Sequence, residues 1–99
     1  MSAALARELS LASRVRIRDD VVFHDLGGEI VILNLETGVY FGLDPAGTRI
    51  WQLVREHASL RAVRDALLEE YAVAEPRCTD DLLQFITRLR ENDLVEIVE

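Results

Sequence analysis

The chain has 99 residues, of which 49% are hydrophobic and 29% charged, and its formal net charge is −7. This length predicts one domain whose single core buries about 65% of the unfolded surface. The acidic balance excludes strong nonspecific attraction to nucleic acid or anionic lipid, because both need positive charge. Cys78 is the only cysteine, which excludes an intramolecular disulfide and a cysteine cluster for metal, and a reducing cytoplasm suits the chain best.

The start of the chain is the next informative region. Residues 1–13 lack the basic region before an apolar run that a signal peptide needs. The uncharged apolar stretches are too short to span a bilayer, so we expect no membrane partner. Weak helical spacing over residues 1–14 predicts a mobile or loosely docked arm, followed by one domain over residues 15–99.

Three strands are predicted in the first half of the domain. From Val15 to Phe23, apolar residues alternate with polar ones, which predicts the first strand. Gly27-Gly28 suits a primed two-residue turn, because that turn needs positive φ. Residues 29–35 are apolar on both faces and predict a central second strand. Residues 36–38 form a short connection ending in glycine, and residues 39–43 predict a third strand, so the simplest topology is an antiparallel meander.

The pattern becomes helical after the third strand. Asp44-Pro45 predicts a first helix, with aspartate as N-cap and proline at the first helical position. Ser59 is an N-cap candidate for a second helix, and Pro76 opens a third that ends at Asn92-Asp93. Residues 94–98 alternate like a short final strand. The order predicts an α+β, winged-helix-like fold, in which a three-stranded antiparallel sheet is followed by three helices.

Several segments together resemble a known family. Residues 31–51 have the sequence VILNLETGVYFGLDPAGTRIW, and this run resembles the PqqD-type proteins. Residues 60–71 and 81–86 match the same family in order and spacing, so the resemblance covers about residues 15–98. Asp44 followed by Pro45 departs slightly from the commoner polar pair but keeps the chemistry of a helix start.

The resemblance implies a function in peptide recognition. PqqD-type proteins are small elements that bind the leader segment of a ribosomally made precursor peptide and deliver it to a leader peptidase or other modifying enzyme. The leader joins the sheet as an added strand, in the cleft between the third strand and the third helix. The apolar third strand of this chain resembles the lasso-peptide branch of the family, so lasso-peptide maturation is the favoured pathway.

An exposed strand edge offers amides and carbonyls that an extended peptide can satisfy, which agrees with this function. We therefore predict a leader-binding groove with a strand wall and a helix wall, and Arg90 as the partner of a leader carboxylate, with Arg88 in reserve. Aspartate in place of Phe41 or Leu83 is expected to abolish binding. The predicted groove residues are Val39, Tyr40, Phe41, Leu43, Leu83, Ile86, Thr87 and Arg90.

Two other binding functions remain open at this point. A winged-helix DNA-binding regulator would use the third helix for recognition, but Asp80 and Asp81 in its first turns oppose contact with phosphate. A plain dimerisation module is the other alternative, because an unpaired strand edge can pair weakly with its own copy.

An enzymatic function is disfavoured by the residues. His24 and His57 stand alone, with no second ligand at metal-binding spacing. A helix N-terminus can lower a thiol pKa, but the acidic residues after Cys78 oppose that effect. We therefore expect no catalysis, no cofactor and no metal, and no nucleic-acid partner.

Overall fold

The computed structural model describes residues 9–98. The strands Val21–Asp25, Ile30–Asn34 and Tyr40–Gly42 form one antiparallel sheet in that order, and Arg14–Ile17 pairs with Val95–Val98 in a separate two-stranded sheet. This sheet of three strands followed by three helices confirms the predicted α+β arrangement. In chain order the elements are β1 (Arg14–Ile17), β2 (Val21–Asp25), β3 (Ile30–Asn34), β4 (Tyr40–Gly42), α1 (Pro45–His57), α2 (Leu60–Glu70), α3 (Glu75–Glu91) and β5 (Val95–Val98).

The predicted first strand is two strands in the structure. A turn separates β1 from β2, and within it the Val21 N–H donates to the Arg18 carbonyl at 3.2 Å. After this turn β2 pairs with β3, whereas β1 pairs with the predicted terminal strand, β5. The alternation hides the turn because Ile17 and Val21 are four residues apart, so the period of two keeps its phase across the break.

Glycine conformation at the two hairpins agrees with the sequence prediction. Gly27 and Gly28 have φ of 75° and 96°, and the Leu26 N–H donates to the Glu29 carbonyl at 2.9 Å across them. Gly38 has φ of 74° at the end of the β3–β4 connection. Positive φ costs a glycine little, which explains glycine at these three turn positions.

Asn34 at the end of β3 joins two distant parts of the chain, and its side chain is only 1% exposed. Its Oδ1 accepts from the N–H groups of Glu36 and Thr37, at 2.8 and 3.1 Å, which shapes the turn before β4. Its Nδ2 donates to the Asp93 carbonyl at 2.9 Å, just beyond α3. The start of β4 and the end of α3 are therefore held by one buried side chain.

The helix starts and the end of α3 were largely predictable. The Gly47 N–H donates to Asp44 Oδ1 at 2.8 Å, and the Ala62 N–H donates to Ser59 Oγ at 3.4 Å, which confirms both N-caps. The third helix begins at Glu75, one residue before the predicted proline. Asp93 has φ of 60° immediately after the α3 cap, an αL termination.

Helix α1 packs against one face of the three-stranded sheet. Trp51 of α1 is fully buried, and its ring meets that of Phe23 edge to face at 5.4 Å. The Ile30 N–H donates to the buried Thr48 Oγ1 at 2.9 Å, which ties β3 to α1. Within residues 9–98, no helix combines the length and the apolarity needed to cross a membrane.

The predicted N-terminal arm is only partly described. Residues 1–8 lie outside the described part of the chain. Leu9 and Leu11 are half-buried and pack against the core.

Two ion pairs connect the helices on the surface. Arg49 of α1 contacts both carboxylate oxygens of Glu70 at the end of α2, at 2.8 and 2.7 Å, and this bonding holds the pKa of Glu70 below its ordinary value. Arg64 of α2 donates to Glu75 Oε2 at 2.8 Å, at the first residue of α3.

Candidate functional site

β4 forms an open edge of the three-stranded sheet, since within residues 9–98 only β3 pairs with it. At the two ends of its ladder, the Leu43 N–H donates to the Ile30 carbonyl at 2.8 Å and the Asn34 N–H donates to the Val39 carbonyl at 3.1 Å. Bonded and unbonded positions alternate along an antiparallel pair. The Val39 carbonyl, the Leu43 N–H and both backbone polar groups of Phe41 are therefore directed at β3.

The intervening residues, Tyr40 and Gly42, direct their N–H and C=O groups at the open edge by the same alternation. An extended peptide could pair with these two donors and two acceptors. The side chain of Tyr40 is 69% exposed, and Gly42 has no side chain to obstruct a neighbouring strand. The edge is short, but it is sterically accessible.

A cleft of about 410 Å³ lies beside this edge, between the end of β4, the start of α1 and one side of α3. Four α3 residues line it at spacings of three, four and seven, so they share one side of the helix. We call these four residues the cleft flank of α3. They are Asp81, Gln84, Phe85 and Arg88.

Arg88 places a cation above the strand wall. Its guanidinium carbon lies 5.6 Å from the centroid of the Phe41 ring, which is within cation–π distance. Among residues 9–98, no carboxylate lies within 4.0 Å of this guanidinium. Its charge is therefore available to a ligand carboxylate at the Phe41 end of the cleft.

The floor of the cleft depends on a close contact between α1 and α3. A Cβ atom added at Gly47 would lie 3.1 Å from the Phe85 ring, tighter than ordinary van der Waals contact. Glycine at this position therefore allows Phe85 to approach the first turn of α1.

An apolar hollow of about 240 Å³ lies among the three helices and shares Ala46, Ile50 and Asp81 with the cleft. Its other walls are mainly apolar side chains from α2, α3 and the loop between them: Leu67, Tyr71, Val73, Cys78 and Leu82. Together the cleft and the hollow can receive an extended peptide with at least one large apolar side chain.

The structure distributes the predicted strand wall over both surface and core. Val39 and Tyr40 are 52% and 69% exposed, and Phe41 is half-buried under Arg88. Leu43 differs from the prediction, because its side chain is 5% exposed and belongs to the core. Its position continues the inward-facing side of β4, where α1 covers the sheet.

The predicted helix wall lies mostly on the other flank of α3. We call Leu83, Thr87 and Arg90 the far flank; consecutive residues turn by about 100°, so Arg90 is about 200° from Arg88. None of the three lines the cleft. The Thr87 hydroxyl donates to the Leu83 carbonyl at 2.7 Å, and Leu83 is half-buried against the core.

Ile86 also differs from its predicted place, since it is fully buried. It belongs to the core stripe between the two flanks of α3, with Leu82 and Leu89. The sequence analysis did not identify Asp81, Gln84 and Phe85 as cleft residues. It named Arg88 only as the second candidate, after Arg90, for pairing with a leader carboxylate. Their shared helical spacing around Phe85 was the available signal.

Among residues 9–98, no histidine, serine or cysteine lines the cleft. Burial raises the pKa of the Cys78 thiol, so little thiolate is present at neutral pH. Within residues 9–98, no three His, Cys, Asp or Glu side chains converge in a way that could hold a metal ion. The site's chemistry is that of backbone pairing, apolar contact and charge.

Two solved structures are similar to this chain over most of its length. The structure described as TbiB1 in complex with the TbiA(beta) leader peptide is 41% identical, covers 82% of this chain and 94% of its own, and has a TM-score of 0.79. A lasso peptide synthetase B1 complexed with its leader peptide is 24% identical, covers 84% and 98%, and has a TM-score of 0.77, which shows the common fold. No curated protein matches the chain.

The family comparison covers the strands and helices that form the site. The family model described as coenzyme PQQ synthesis protein D (PqqD) matches residues 29–95. That match includes β3, β4 and all three helices, and hence both walls of the cleft. The chain therefore belongs to the PqqD family.

Proposed function

We propose that this protein binds the leader segment of a ribosomally made precursor peptide and presents it to a leader peptidase or another modifying enzyme of lasso-peptide maturation. The open edge at Tyr40 and Gly42, directly beside the cleft, is the observation that carries the proposal. The relative TbiB1, at 41% identity, is described in complex with a leader peptide, which supports it.

Strand addition accounts for affinity without requiring one particular leader sequence. The leader pairs with the backbone of Tyr40 and Gly42 and so becomes a fourth strand of the sheet. Every second leader residue then faces α3, and the residues between face the opposite side of the sheet. Main-chain bonds supply affinity, and the side chains facing the cleft supply specificity.

The binding surface combines predicted and newly located residues. Val39, Tyr40 and Phe41 form the strand wall in this proposal, in which Phe41 faces Arg88 and Tyr40 contributes its backbone at the open edge. The cleft flank of α3 forms the helix wall in place of the far flank. An aromatic, proline or leucine side chain of the leader fills the hollow beside the cleft, because the hollow is lined largely by apolar groups.

The protein acts in this proposal as a binding element, and the chemistry belongs to the enzyme that receives the leader. The burial of Cys78 supports this role, and so does a cleft lining that contains no histidine, serine or cysteine among residues 9–98. Incubation of the isolated protein with a full-length precursor, followed by mass spectrometry, is expected to leave the precursor unchanged. Cleavage or modification by the isolated protein would contradict a purely binding role.

The test uses the TbiA(beta) leader peptide, together with leader peptides of precursors encoded beside this protein. Calorimetric titration is expected to give saturable one-to-one binding, and duplex DNA serves as a control that should not bind. Amide chemical-shift changes should be concentrated at β4 and on the cleft flank of α3. If no leader binds, or if shifts cluster on the far flank, the proposed function or its site is wrong.

A second experiment tests strand addition itself. Single N-methyl groups are placed along the backbone of the bound leader peptide, one position at a time. Methylation of an amide that pairs with β4 removes a hydrogen bond and should weaken binding by about tenfold. The effect should alternate along the paired segment, because only every second residue of an edge strand faces its partner. A uniform effect would argue for binding by side chains alone.

A further inference from the structure

The two ends of the cleft carry opposite charge. Arg88 lies at the end beside Phe41, with no carboxylate partner among residues 9–98. Asp81 lines the same cleft about two helical turns earlier in α3, near the residues that start α1. Its ion pair is a 3.6 Å contact with Arg77 in which both side chains are largely exposed, so solvent leaves the carboxylate available.

The distance between these charges fits a bound strand. Asp81 and Arg88 are seven residues apart, which corresponds to about 10.5 Å along a helix. Side chains on one face of a strand recur about every 6.8 Å. Two leader side chains of opposite charge, two or four residues apart on the face toward α3, can therefore reach the two ends together.

The geometry also relates charge order to strand direction. Arg88 is beside Phe41 of β4, whereas Asp81 lies near Ala46 in the first turn of α1, just after β4 and Asp44, so α3 runs opposite to β4. A leader added antiparallel to β4 starts at the Asp44 end and finishes at the Phe41 end. Its basic side chain would then precede its acidic one in the leader sequence.

We infer that Arg88 is a specificity residue that selects an acidic side chain on the leader strand, and that Asp81 selects a basic one nearer the leader N-terminus. This inference rests on the proposed leader-binding function. In this inference, the cleft flank of α3 determines which order of charged residues along the leader binds best. Arg90, on the far flank, has the same charge but does not line the cleft, so it provides a matched control.

The test is a charge scan of the TbiA(beta) leader peptide. Each residue of the peptide is replaced in turn by Glu and by Lys, and the affinity of every peptide is measured by fluorescence anisotropy. The natural protein is expected to favour Glu over Lys by about tenfold at one position, since bonds to charged groups are the stronger class. Arg88→Glu should invert that preference at the same position, and Arg90→Glu should leave it unchanged.

Asp81→Lys tests the other end of the cleft in the same scan. It should invert a preference for Lys over Glu at a position two or four residues nearer the peptide N-terminus. A preference that survives Arg88→Glu, or that Arg90→Glu alters equally, overturns the selection by Arg88 while leaving leader binding intact. Absence of binding to every peptide by the natural protein overturns leader binding and this inference together.

Discussion

The two flanks of α3 resemble each other in sequence but differ in their surroundings. Each has one large apolar residue and one arginine, Phe85 with Arg88 on the cleft flank and Leu83 with Arg90 on the far flank. The cleft flank lines the cleft together with the end of β4 and the start of α1, whereas none of the three far-flank residues lines it. Helical spacing therefore identifies which residues share a side, while the packing of the neighbouring elements decides which side lines the cleft.

The core stripe between the flanks should dominate stability. Ile86→Ala removes a fully buried side chain, so we expect a loss of about 2–5 kcal/mol in the free energy of unfolding, measured by urea denaturation. Leader affinity should stay within about twofold wherever the variant remains folded, because Ile86 supports both flanks from beneath. A loss of leader affinity in the folded variant would show that Ile86 contributes to the binding surface.

Aspartate substitutions beside the cleft and on the far flank of α3 should separate effects on leader affinity from effects on stability. Phe41→Asp removes the ring beneath Arg88, and we expect at least a thirtyfold loss of leader affinity, the size of about 2 kcal/mol at an interface hot spot. Leu83→Asp should lower stability through its half-buried position and leave affinity unchanged. Both are measured by calorimetric titration after circular dichroism confirms folding. Equal losses of affinity would show that the far flank also binds.

Asn34→Ala tests whether the ends of the two cleft walls depend on each other. The substitution removes three hydrogen bonds from a buried position, which should cost about 1–3 kcal/mol of stability. We expect chemical-shift changes at both the β3–β4 turn and the end of α3. Changes confined to the turn would mean that the bond to the Asp93 carbonyl contributes little.

The smallest expected effect lies in the Arg49–Glu70 pair, neither residue of which lines the cleft or the hollow. Because Arg49 lowers the pKa of folded Glu70, the pair stabilises the protein above the unfolded pKa of about 4.3 and loses that contribution as pH falls through the folded value. Glu70→Gln should therefore cost less than about 0.5 kcal/mol at pH 6, since about a third of each side chain is exposed, and still less at pH 3. Urea midpoints at the two pH values measure the difference. A larger cost at pH 3 would contradict the assigned ion pair.

Local chemistry explains the parts of the fold that the sequence predicts well. Asp44 and Ser59 cap their helices because their side-chain oxygens accept from nearby backbone amides, an interaction contained within four residues. Gly27 and Gly28 likewise specify their turn through their own φ angles. Such features need no knowledge of distant residues.

Long-range packing explains the parts that the sequence left open. The alternation of apolar and polar residues does not show the turn between β1 and β2. The turn becomes evident from the pairing of β1 with β5. The burial of Leu43 depends on α1 lying beneath the sheet. The choice between Arg88 and Arg90 depends in the same way on where β4 lies beside α3, which no local pattern in either element encodes.

The hydrogen bonds of Asn34 affect the conformational entropy that is lost when a leader binds. One buried amide holds the strand wall and the helix wall together near the Arg88 end, so the free protein already has much of the spacing that the bound state needs. A preorganised cleft loses little conformational entropy on binding, and most of the ordering cost then falls on the extended leader. Hydrogen exchange at the β3–β4 turn and at the end of α3 should consequently be slow even in the absence of peptide, and the two segments should open in a single concerted event.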